Sequence, residues 1–115
     1  MDFENFKSGQ PAREMFLKLG LLEYLESATG WRNLRDSVVR FNGIDDGNFV
    51  DRARRFDGNA SSGERVLLHA ILYVTDFAWL ADELAGSKAW RSMDRATDDW
   101  RRAVAACVGA DLSHG

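Results

Sequence analysis

The sequence predicts an all-α fold, a compact five-helix bundle packed around a central apolar helix at residues 62–85. Three observations predict it. The segment Val66-Leu67-Leu68-His69-Ala70-Ile71-Leu72-Tyr73-Val74 is apolar on nearly every side, so a helix there must be surrounded by others. Its start is written as a capping box, Ser61 followed three residues later by Glu64, and Gly86 supplies a left-handed stop. No segment alternates apolar and polar residues between hairpin turns, so no sheet is expected.

The elements follow in order. Residues 1–10 carry no helical period, and Phe3 and Phe6 there either cover the core or join an exposed apolar patch. Pro11 suits the first turn of a helix, and Ala12, Met15, Phe16, Leu19, Leu22 and Leu25 follow at three- and four-residue steps, giving a first helix over residues 11–28. Gly20 lies inside that span and costs up to about 1 kcal/mol against alanine unless it permits a close helix contact. Thr29 is expected to cap a second helix with Trp31, Leu34, Val38 and Phe41 on one stripe and Arg32, Arg35, Asp36 and Arg40 opposite, ending at Asn42-Gly43. Asp45 or Asp46 opens a short third helix with Phe49, Val50, Ala53 and Phe56 inward and Asp51, Arg52, Arg54 and Arg55 outward, closed by Asp57-Gly58. Ser87 caps a fifth helix whose Trp90, Met93, Thr97, Trp100, Val104 and Cys107 recur at helical spacing, and residues 110–115 form an irregular end.

At 115 residues the chain makes one domain, able to hide roughly two-thirds of its extended surface without disulfide staples. One cysteine cannot close an internal disulfide, and two histidines with one cysteine are too few for a four-ligand zinc site, so a reducing cytoplasm is the expected location. The acidic start Met1-Asp2-Phe3-Glu4 lacks the basic and apolar regions of an export signal. The most apolar window, residues 66–81, contains His69 and Asp76 and falls short of the roughly 20 apolar residues of a membrane span.

Net charge is −3 with a pI near 5.3, but the charges are unevenly placed. Residues 31–56 hold six arginines against four aspartates, whereas residues 57–86 hold one arginine against five acids. The arginines suit an anionic contact, and two short helices joined by a glycine-containing turn also resemble a helix-turn-helix layout. Asp45, Asp46 and Asp51 stand at the start of the would-be recognition helix, where DNA repels them.

Nothing in the chain spells a catalytic motif. Arg65, His69, Leu72, Asp76 and Glu83 project within about 40 degrees of one line on the central helix, but His69 and Asp76 are about 10 Å apart along its axis. The plain expectation is a half-buried histidine at the solvent edge, and the alternative a base or metal ligand helped by a carboxylate from another helix. Asp76, Asp82, Glu83, Asp94, Asp98 and Asp99 read as solvated faces paired with arginines, since no Glu-x-x-His or His-Glu-x-x-His pattern accompanies them. Aligned as a calcium loop, residues 42–48 put Ile44 at a ligand position and Ala53 in place of the glutamate. Cys107 on an apolar stripe is a buried thiol. The sequence therefore points to a non-enzymatic domain without cofactor or metal, binding a protein partner or its own copy through Arg32, Arg35, Arg52, Arg55 and Trp79. Nucleic-acid binding through the arginines of the second and third helices is the runner-up, and a metal protein or enzyme centred on His69 stands third.

Overall fold

A computed structural model describes residues 2–44, 47–85, 98–110 and 112. They form α1 (Phe3–Ser8), α2 (Gln10–Lys18), α3 (Leu22–Ser27), α4 (Trp31–Ile44), α5 (Asn48–Asn59), α6 (Ser62–Val74), α7 (Ala78–Ala85) and α8 (Asp98–Val108), with no strand among them. The all-helical expectation holds; the five-helix division does not.

α6 is the middle of the molecule. It packs along α7 and α8 and touches α2 and α5, and Val66 through Leu72 with Val74 are all buried. Ser61 accepts a hydrogen bond from the Glu64 N–H while Glu64 accepts one from the Ser61 N–H, so both halves of the predicted capping box are made.

Two predicted helices break, and for the same reason. Residues 11–28 divide at Gly20 (φ 76°), where the Leu21 N–H donates to Phe16 O (2.7 Å) and the Gly20 N–H to Leu17 O (3.0 Å). This pair of bonds is a Schellman stop, and it closes α2 on the buried Leu21. Residues 62–85 divide at Asp76 (φ 74°), where the Phe77 N–H donates to Leu72 O (2.7 Å) and the buried Thr75 hydroxyl to Ile71 O (2.7 Å). Aspartate tolerates the left-handed region better than most residues, so α6 ends without a glycine. The predicted stop at Gly86, the Ser87 cap, Trp90, Met93, Asp94 and Thr97 lie outside the described residues, as do Asp45 and Asp46; α8 carries the C-terminal part of the fifth predicted helix.

The N-terminal segment is helical rather than irregular. Asp2 accepts from the Asn5 N–H to cap α1, and Phe3 and Phe6 pack on Trp31 with ring centroids 5.1 and 4.7 Å apart. Both phenylalanines thus cover the core. Of residues 110–115, only Ala110 and Leu112 are described, packed against that core as partly buried side chains. Among the described residues Thr29 enters through its backbone, its N–H donating to Asn33 Oδ1 (3.0 Å), and α4 runs on to Ile44. Among the described residues no helix is long and apolar enough to cross a membrane.

Candidate functional site

α5 connects the core to an open surface groove. Phe49, Val50 and Ala53 bury its inner face, whereas Arg52, Arg55, Phe56 and Asn59 recur at helical spacing on another face. That stripe meets Leu17, Lys18, Leu19 and Gly20 at the α2–α3 corner across an open groove of about 450 Å³. The sequence reading of Phe56 as inward is only partly right, because its ring is half-buried and lines the groove.

Arg52 is the groove's fixed wall. Its Nη1 donates to Leu19 O (2.9 Å), and its guanidinium carbon lies 5.2 Å from the Phe41 ring centroid. With the Asn48 amide turned to suit its neighbours, Asn48 Oδ1 accepts from Arg52 Nη2 (3.2 Å) and Nε (3.3 Å). The guanidinium therefore staples the left-handed corner to α5. It also explains Gly20 a second time, since a Cβ there would run into Arg52 Nη1.

Lys18 is likewise committed, to Glu14 at 3.1 Å and to Glu64, which ties α2 to the start of α6. Its ammonium holds the Glu64 carboxyl below the ordinary carboxylate value, with the Ser61 N–H and hydroxyl adding to the effect and burial opposing it. The pKa of the Lys18 ammonium is correspondingly raised by the hydrogen bonds it donates to Glu64 and Glu14. A lowered carboxylate stabilises above its unfolded value and loses that contribution as pH falls through its folded one. The stability difference between wild type and Lys18→Met, measured by urea denaturation, is therefore expected at about pH 7 and to shrink as pH falls below the ordinary carboxylate value of 4.5. A gap of unchanged size in acid would show that the ion pair is not its source.

Arg55 differs from both. Among the described residues its guanidinium has no hydrogen bond or ion pair, and it stands in the groove beside half-buried Phe56 and across from Leu17, which is 62% exposed. Of the other predicted contacts, Arg32 is exposed on α4 and has no ion pair among the described residues, and Arg35 bonds Asp36 Oδ1 through Nη2 (3.3 Å). Neither lines the groove. Trp79, on α7, is 54% exposed, and Tyr73 near the end of α6 is 52% exposed on the other side of the Asp76 corner. The structure thus brings Arg52 and Arg55 together, gives Arg52 a structural task, and leaves Arg32, Arg35 and Trp79 outside the groove. Leu17, Lys18, Leu19, Gly20, Phe56 and Asn59 are the lining residues that sequence reasoning missed as contacts. Leu17 carried a signal, as a leucine lying off the Met15, Phe16 and Leu19 stripe.

His69 is not at a solvent edge. It is 4% exposed, and its Nε2 lies 2.9 Å from Asp57 Oδ1, a carboxylate supplied by the last turn of α5. An ionised carboxylate only accepts, so Nε2 carries the hydrogen and donates it. Arg65 donates from Nη2 to Asp57 O (3.2 Å), and its Nε lies 3.6 Å from Asp57 Oδ1. The carboxylate from another helix is therefore present, but around an imidazole sealed from solvent, where it locks α5 to α6. Glu83 pairs with Arg54 at 2.8 Å, and among the described residues no group of three or more His, Cys, Asp or Glu could hold a metal ion. Cys107 is fully buried, which pushes its thiol up and disfavours the reactive thiolate.

No protein-family model, curated protein or solved structure matches the chain.

Proposed function

We propose that this is a non-enzymatic, cytoplasmic helical module that acts by binding another protein, with the groove around Arg55 as its principal contact and Trp79 as a separate exposed anchor. One observation carries the reading: Arg55, whose guanidinium has no hydrogen bond or ion pair among the described residues, lines an open groove together with Leu17 and Phe56. Arginine and tryptophan are enriched among the residues that dominate protein–protein binding energy, particularly where neighbouring apolar groups exclude water. Arg32 and Arg35 lie on α4 away from the groove lining, and charges outside a contact's centre influence association rate more than affinity.

The test is affinity capture from the native host extract, with and without nuclease, using wild type, Arg55→Glu and Leu17→Ser. A partner retained after nuclease and lost by both variants is expected. Capture that disappears with nuclease would replace this reading by nucleic-acid binding, and equal capture by all three proteins would remove the groove from the interface.

A further inference from the structure

We propose that the groove receives a short segment of a partner protein in which one carboxylate side chain adjoins one bulky apolar side chain, the carboxylate on Arg55 and the apolar group between Leu17 and Phe56. The proposal rests on the protein-binding reading above and adds the chemistry of the occupant. From Arg52 to Asn59 the open stripe of α5 is about 10 Å long at 1.5 Å per residue, which accommodates roughly three residues of extended chain.

The walls are prepared in advance. Arg52 is held by Leu19 O and stacked on Phe41, so the α2–α3 corner cannot drift from α5. An occupant meets a formed surface and does not have to order it.

The lining carries three cations, Lys18, Arg52 and Arg55, and no carboxylate. Lys18 is already paired with Glu14 and Glu64, and Arg52 is held by Leu19 O, so among the described residues Arg55 is the lining cation left to meet an occupant. A phosphate at every step would find two of the three cations engaged. A segment with a single carboxylate beside an apolar group matches one open guanidinium next to Leu17 and Phe56, and Arg–carboxylate contact is among the stronger charge-assisted hydrogen bonds. Leu17, 62% exposed, is the apolar surface that such a segment would cover.

The test is a titration of the ¹⁵N-labelled chain with acetyl-Gly-Phe-Asp-Gly-amide, its Phe-to-Ser and Asp-to-Lys counterparts, and oligothymidine. The acidic aromatic peptide is expected to move the amide signals of residues 17–20 and 52–59, with both altered peptides at least about tenfold weaker. Arg55→Gln should weaken the first peptide by a similar factor while leaving the fold intact, because the side chain has no hydrogen bond or ion pair among the described residues. Unmoved signals at millimolar peptide, equal binding of the lysine peptide, or oligothymidine moving the same signals at lower concentration would each overturn the proposal. If a protein partner is captured after nuclease yet Arg55→Gln holds it at full strength, this proposal falls and protein binding stands. If the peptide binds as expected and no partner is captured, the site stands and the broader reading falls.

Discussion

Gly20→Ala is expected to destabilise the protein by about 2–4 kcal/mol, the sum of a left-handed backbone cost of roughly 1–2 and a similar loss at Arg52. Gly20 sits at φ 76°, where a Cβ is disfavoured whatever surrounds it. The added carbon would also push away the guanidinium that bonds Leu19 O. Urea denaturation of the four proteins of the Gly20→Ala, Arg52→Ala cycle separates the two causes. In the Arg52→Ala background the glycine substitution should retain only its backbone cost, so the double mutant is less damaged than the two single effects added together. Strict additivity would mean that Gly20 and Arg52 do not touch.

Asp57→Ala should also cost about 2–4 kcal/mol, because it strands a nearly sealed His69 and takes the carboxylate from beside Arg65. Removing one partner of a buried polar pair is worse than removing both, since the survivor loses water and gains nothing in return. Asp57→Asn keeps an acceptor for the Nε2–H and should be milder. Combining Asp57→Ala with His69→Leu should recover part of the loss. Equilibrium denaturation decides the matter: a change within about 0.5 kcal/mol for Asp57→Ala, the range of ordinary surface substitutions, would show that the contact does not hold α5 to α6.

These two positions also mark where sequence reading reached its limit. The interior was legible because burial leaves a local pattern: Val66 through Leu72 are apolar in an unbroken run apart from His69, and the Ser61–Glu64 box is contiguous. The helix stops were not. Gly20 stood within a stripe whose spacing continues through Leu22 and Leu25, and only the bond from Leu21 N–H to Phe16 O shows that the chain turns there. Asp76 gave still less warning, since the left-handed stop is made by an aspartate and by the buried Thr75 hydroxyl rather than by glycine. α1 is six residues long, too short to display a period, although Asp2 three places before Asn5 was its cap.

The surface was legible by residue type and not by arrangement. Arg52 and Arg55 were recognised as outward-facing, but which one is free depends on Asn48, Leu19 and Phe41, brought together by tertiary packing. His69 and Asp57 lie 12 residues apart on different helices, a separation with no periodic signature. Among the groove's apolar residues, Leu17 betrayed itself locally by being apolar on the wrong side of its helix.

The enclosure of the α6 interior by the surrounding helices is tested most directly by native-state hydrogen exchange of the residue 67–72 amides. Their side chains are all buried, and α6 is flanked by α2, α5, α7 and α8. They are expected to be the slowest in the chain and to exchange only through global unfolding, with a free energy matching that from denaturation and the same denaturant dependence. Exchange of these amides through a local opening well below the global free energy, while amides of α4 or α5 remain protected, would contradict it.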